Sequence, residues 1–131
     1  MARRILFVCT ENSARSKMAE AFFNLYNRNP EYQAASAGTH PAKSIKQLAT
    51  RVMQEKGVDI SRRRPEILTR EMAEGAHRIY TMGCIQDCPL MPPQKTEDWN
   101  LADPAAKSIM VYREVRDDIE RRVKSLVSAL G

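Results

Sequence analysis

Ile5-Leu6-Phe7-Val8-Cys9-Thr10-Glu11-Asn12-Ser13-Ala14-Arg15-Ser16 is the stretch on which the reading of this chain turns. Its first four residues are continuously apolar, the mark of a strand covered on both faces. The next eight are polar or small, and helix spacing begins at once beyond them, with Met18, Ala19, Phe22, Phe23 and Tyr26 on one side. A buried strand running through a short polar loop into a helix is the opening unit of a parallel α/β sheet. Ligands of such sheets bind beyond the carboxyl ends of the strands. Ser16 is expected to cap the helix, and Asn29-Pro30 to stop it.

The pattern repeats outward. Tyr32 to Ala37 is a second strand, ending at Gly38. Ile45, Leu48, Ala49, Val52 and Met53 form an amphipathic helical stripe, with Gly57 where a left-handed cap belongs. Asp59 to Leu68 is a polar loop, and Thr69 opens a short helical turn. Arg78 to Met82 is a third strand closed by Gly83, and residues 83 to 93 form an irregular loop. Trp99 to Leu101 is expected as a fourth strand. Val111, Val115, Ile119, Val123, Leu126 and Leu130 share one face of a long last helix. The order implies one α/β domain over residues 1–131, a parallel sheet with helices on both faces.

Composition narrows the function. The chain has 131 residues, 43% hydrophobic and 28% charged, which suits one compact domain. No apolar run approaches the roughly 20 residues of a membrane-spanning helix. No leader-like segment precedes the first strand, so a cytoplasmic protein is expected. The net charge of +5, with 14 of 21 cations arginine, favours anionic ligands. No nucleic-acid signature is present, and Arg62-Arg63-Arg64 reads as a solvated loop face. Cys9, Cys84 and Cys88 are too few and too unevenly placed for a disulfide framework. Cys84, Cys88 and His77 would supply only three ligands of a four-ligand zinc site. His40 and His77 have no partner pattern.

The Cys9 loop carries the chemistry. Three cysteines and 14 arginines give about 0.3 Cys-x5-Arg pairs by chance, so the spacing alone decides nothing. The context does. A loop at a strand end can turn successive N–H groups inward as an anion nest, reinforced by the helix N-terminus. Arg15 can fork onto two oxygens of a tetrahedral oxyanion. Asn12 and Ser13 can brace the backbone, and Ser16 can hydrogen-bond the sulfur. The same donors favour a thiolate at Cys9, and a thiolate aimed into an oxyanion cradle is a nucleophile for its central atom.

With these residues in view, Val8-Cys-Thr-Glu-Asn-Ser-Ala-Arg-Ser-Lys-Met-Ala-Glu-Ala resembles the anion loop of the low-molecular-weight protein tyrosine phosphatase superfamily, and most closely its thioredoxin-coupled arsenate reductases. Ala35-Ser36-Ala37-Gly38-Thr39, Asp59-Ile60-Ser61, Tyr80-Thr81-Met82 and Asp98-Trp99-Asn100-Leu101-Ala102-Asp103-Pro104 also look like family segments, in family order. The resemblance implies a four-stranded parallel sheet flanked by helices. It implies Cys9 as nucleophile, Arg15 as oxyanion clamp and Asp103 as acid/base, with residues 10–16 binding arsenate or phosphate. For a reductase it implies a relay in which Cys84 attacks Cys9 and Cys88 resolves the product, drained by a thioredoxin-like dithiol protein. It also implies a structural potassium ion at Asn12, Glu20, Ser36 and Glu66, and no other cofactor.

Three departures accompany it. Cys84 and Cys88 stand closer together than in thioredoxin-coupled relatives. Glu11 sets a carboxylate beside the anion loop, and Ala14 stands where many relatives carry a cysteine. Two alternatives remain. A phosphatase would use Cys9, Arg15 and Asp103, but Ala105-Ala106-Lys107-Ser108 lacks the tyrosines that line a ring-sized slot. A non-catalytic arsenic sensor would have no need of Asp103.

Overall fold

The computed structural model describes residues 2–83 and 91–131. Its elements are β1 (Arg3–Cys9), α1 (Arg15–Tyr26), β2 (Tyr32–Gly38), α2 (Gln47–Gln54), α3 (Arg70–Gly75), β3 (Ala76–Thr81), β4 (Thr96–Asp98) and α4 (Ile109–Leu130). All strand pairs are parallel, in the order β2-β1-β3-β4. β1 lies in the interior because Ile5 to Val8 have no solvent exposure on either face.

The alternation of side chains along β1 divides the core. Ile5, Phe7 and Cys9 join the main cluster, with Met18, Phe22 and Phe23 of α1, Val52 and Met53 of α2, and Val115, Ile119 and Val123 of α4. Leu6 and Val8 join a smaller cluster on the opposite face with Leu68, Ala73 and Ile79, against which Met72 and Met91 pack. Helices do cover both faces, but three lie on one and only the short α3 on the other. Connection handedness explains why α1 and α3 lie on opposite faces. The chain steps outward from β1 to β2, then back across β1 to β3 and on to β4. A right-handed crossover in the reversed direction must pass over the other face. The reversal falls beside the carboxyl end of β1, so the loop after Cys9 occupies the switch point of the sheet.

Several boundaries differ from expectation. The fourth strand is Thr96–Asp98, paired with Ile79 to Thr81. Trp99 and Leu101 still donate N–H groups to the Thr81 and Met82 carbonyls, at 2.8 and 3.0 Å. Asn100 between them has φ +49°, outside strand geometry. On α4 the buried positions are Tyr112, Val115, Arg116, Ile119, Glu120 and Val123, and Val111 sits at the margin. Gly57 adopts φ +73° and Thr69 caps α3 through the Met72 N–H, both as expected.

Candidate active site

The loop from Thr10 to Ala14 is shaped from outside. The N–H groups of Thr39, His40, Ala42 and Lys46 donate to the carbonyls of Cys9, Thr10, Glu11 and Ser13, at 3.2, 2.8, 3.0 and 2.9 Å. Four carbonyls are thereby turned away from the loop centre, which leaves its N–H groups facing inward. Gly38 makes the close approach possible: a Cβ there would lie 2.6 Å from the Thr10 carbonyl oxygen and 2.9 Å from the Asn12 nitrogen. Helix α1 begins at Arg15, and Ala14 holds the cap position without any side-chain cap bond. Ser16 is therefore not the cap. Its hydroxyl turns to the sulfur instead, and the first-turn N–H groups of the helix stay free for an anion.

Asn12 ties these parts together. It is fully buried and adopts φ +52°, a left-handed backbone that asparagine tolerates. Its Oδ1 accepts the Glu66 N–H at 2.8 Å, so its Nδ2 must be the end that donates to Ser16 Oγ, at 2.7 Å. With that lone pair taken, the Ser16 hydroxyl is free to donate to Cys9 Sγ, 2.8 Å away. The Asn12 N–H reaches the same sulfur at 3.1 Å. Two donors meeting a buried sulfur stabilise negative charge there.

Arg15 is 5% exposed. Its Nη1 donates to the carbonyls of Met82 and Leu101, at 2.9 and 3.2 Å, and Nη2 lies 3.7 Å from Asp103 Oδ2. The backbone ends of β3 and β4 thus aim the guanidinium. Gly83 permits this meeting, with φ +99° and no Cβ, which would lie 3.1 Å from the Leu101 carbonyl oxygen. Asp103 stands at the solvent edge with its side chain half exposed, and its Oδ1 accepts the Ala105 N–H. Cys9, Thr10, Glu11, Ser13, Ala14, Arg15 and Asp103 line one cavity, joined by Lys46, Ala105 and Tyr112. Its volume is about 30 Å³, far below that of pockets for drug-sized ligands. It suits a small inorganic anion. Larger grooves lie between β4 and α4, about 480 Å³, and beside Arg62 to Arg64, about 710 Å³, and among the described residues neither is lined by a cysteine.

Glu11 does not point its charge alone at the anion loop, since its Oε1 lies 3.4 Å from Lys46 Nζ across the cavity rim. Lys46 and Tyr112 were missed in the sequence. Lys46 falls in a loop without a motif. Tyr112 was legible as the residue three before Val115 and seven before Ile119 on the inward stripe. The Cys84 and Cys88 assignments lie outside the described residues.

The potassium expectation does not fit the donors present. Ser36 Oγ donates to Glu20 Oε1 at 2.6 Å. The Glu20 carboxylate also faces Lys17 Nζ, itself 3% exposed, at 3.6 Å and Arg63 at 3.8 Å. The Asn12 amide oxygen already holds the Glu66 N–H. The cluster is neutralised by its own cations, and no step is assigned to a metal. Among the described residues no group of three His, Cys, Asp or Glu is arranged to hold one, and no helix is long and apolar enough to cross a membrane.

Comparison with known proteins agrees with the geometry. The family model for low molecular weight phosphotyrosine protein phosphatase matches residues 4–131. Arsenate reductase 1 of Bacillus cereus is 35% identical over 125 residues, covering 93% of this chain and 92% of the relative. A solved arsenate reductase in a phosphate-binding state superimposes with a TM-score of 0.87 at 29% identity, covering 98% and 99% of the two chains. The YwlE arginine phosphatase from Geobacillus stearothermophilus gives 0.85 at 30% identity, covering 98% and 92%. With its Cys9 cradle, its parallel sheet order and these matches along nearly its whole length, the chain belongs to the low molecular weight phosphotyrosine protein phosphatase family.

Proposed function

We propose that the chain is an arsenate reductase. The observation that carries the proposal is the cradle: a buried thiol met by two donors, beneath a small cavity whose loop carbonyls at Cys9, Thr10, Glu11 and Ser13 are tied by donors from outside the loop. The family's named arsenate reductases at about one-third identity support it. So do the two further cysteines that follow β3 in the sequence, since a phosphatase needs one.

In this reading the Cys9 thiolate attacks the arsenic of arsenate, held by the loop N–H groups and Arg15. One As–O bond breaks, and Asp103 supplies the proton that lets the oxygen leave as water. The Cys84 thiolate then attacks the Cys9 sulfur. The S–As bond breaks, its electron pair passes to arsenic, and arsenite departs from a Cys9–Cys84 disulfide. Cys88 attacks Cys84, frees Cys9 and leaves a Cys84–Cys88 disulfide. A thioredoxin-like dithiol protein reduces that bond and returns two electrons to the cycle.

The second reading, phosphoester hydrolysis, is favoured by the same loop and by the phosphatase structures of equal similarity. It uses Cys9, Arg15 and Asp103 alone. One set of variants separates the two. Cys84→Ser and Cys88→Ser should retain p-nitrophenyl phosphate hydrolysis and lose multiple-turnover arsenate reduction. Cys88→Ser should release one equivalent of arsenite, with a Cys9–Cys84 disulfide seen by mass spectrometry. Full multiple turnover by Cys88→Ser with a dithiol protein would overturn the relay. Arsenate inert toward the wild-type chain, with efficient ester hydrolysis, would favour the phosphatase.

A further inference from the structure

Tyr112, on α4, lines the same cavity as Cys9, Arg15 and Asp103. It is 3% exposed as a residue, and its hydroxyl makes no hydrogen bond among the described residues; none of their fully buried side-chain oxygens lacks a partner, so this hydroxyl keeps access to solvent in a side chain that lines the cavity. A phenol hydroxyl with no protein partner beside an anion-sized cavity is a donor still to be used. The ring is fixed by its neighbours on the helix, Val115 among them, and the backbone N–H of Tyr112 donates to Ser108 at the head of α4. The hydroxyl is therefore delivered to one place by a rigid element.

A tetrahedral anion in this cavity has four oxygens. The sulfur attacks the central atom in line, which sets the leaving oxygen on the side away from Cys9. The inward N–H groups and Arg15 serve the three oxygens nearest the loop. The fourth points away from the loop, toward the lining residues that lie outside it, Asp103 and Tyr112 among them. We propose that the Tyr112 hydroxyl donates a hydrogen bond to this outward oxygen, making Tyr112 a direct substrate contact beside Asp103. Asp103 carries the proton that the oxygen takes, and Tyr112 holds the oxygen in line while it is taken.

The surroundings keep the phenol in its donating form. Burial, and then the negative charges of Asp103 and Glu11, hold its pKa above the ordinary tyrosine value. Lys46, the nearby cation on the rim, is engaged by Glu11. The donor is neutral, so it adds direction to a site whose positive charge comes from Arg15. The inference deepens the proposed reaction and rests on its in-line attack by Cys9, but its test does not require arsenate to be reduced.

The test is protection of Cys9 by inorganic phosphate. Iodoacetamide alkylates Cys9 in the Cys84→Ser/Cys88→Ser background, and the phosphate concentration that halves the rate is measured with and without Tyr112→Phe. Phenylalanine keeps the ring and its packing, so the alkylation rate without phosphate should stay within about twofold, which also certifies the fold. Loss of a hydrogen bond to a charged oxygen should raise the half-protecting phosphate concentration about tenfold or more. In the otherwise wild-type chain, kcat/KM for arsenate should fall by a similar factor. A protecting concentration within twofold of the parent would overturn the inference, whatever happens to turnover. Were the wild-type chain to leave arsenate unreduced, the reductase reading would fall, and the phosphate shift would still decide the role of Tyr112.

Discussion

Replacing Asn12 by alanine removes three things at once, and their magnitudes can be worked separately. The backbone at this position has φ +52°, where a non-glycine residue with an inert Cβ is disfavoured by about 1 kcal/mol relative to glycine. The side chain also accepts the Glu66 N–H in a part-buried setting and donates to Ser16 Oγ in a fully buried one. Losing these two hydrogen bonds costs about 1–3 kcal/mol together, at about 0.5–1.5 kcal/mol each. Asn12→Ala should therefore lose about 3 kcal/mol, and Asn12→Gly about 2 kcal/mol, because glycine relieves only the backbone strain. Urea unfolding followed by the fluorescence of the single tryptophan, Trp99, buried at 4% exposure, reads both. Cys9 alkylation should slow in both variants, since the Ser16 hydroxyl loses the donor that orients it toward the sulfur. Stability of Asn12→Ala within about 0.5 kcal/mol of wild type would refute the reasoning, given that the backbone strain of an alanine at φ +52° alone should exceed that. So would a glycine variant less stable than the alanine variant.

Arg15→Lys keeps the charge but cannot donate to Met82 and Leu101 while presenting a planar fork to the anion. It should lower kcat/KM for arsenate by about 10²–10³ with unchanged circular dichroism, the scale of losing one oxyanion donor. Near wild-type kinetics would remove Arg15 from the clamp. Glu55 is held at a pKa of about 2 by hydrogen bonds from Arg113 and Arg116, against an ordinary value of 4.5. A lowered carboxylate pKa stabilises the fold above the unfolded-state value, and the contribution drains away as pH falls through the folded value. Glu55→Gln should thus lower Tm at pH 7, with the deficit shrinking steadily between pH 4.5 and 2. A deficit independent of pH across that window would show that the carboxylate charge is not what joins α2 to α4.

What could be read in advance follows the strength of local signals. β1 was unmistakable because Ile5 to Val8 are apolar without a break and β1 is covered on both faces. Cys9, Arg15 and the intervening loop were found because a strand end, a helix start and a cation coincide there. β4 was displaced by three residues because its pairing depends on Ile79 to Thr81, distant in sequence, and its own residues are weakly apolar. Ser16 looked like a cap by residue type, and only the tertiary contact with Asn12 and the sulfur gives it another task. Lys17 reads as a surface cation in the sequence, yet it is buried beside Glu20, which is why the potassium expectation found its place already taken. Tyr112 was passed over because Val111 was given its place on the stripe, a shift of one residue that turns a helix by about 100°.

The carbonyls of Cys9, Thr10, Glu11 and Ser13 are held by backbone donors from residues 39 to 46. The charge field of the cradle is consequently written in main chain, and is insensitive to most changes of side chain within it. Inheritance can then treat the cradle as a fixed chassis. What an ancestor did with the covalent adduct, whether it let water cleave it or passed it to another thiol, was open to revision by editing segments that supply none of those donors. Divergence between hydrolysis and reduction within one family requires no rebuilding of the place where both begin.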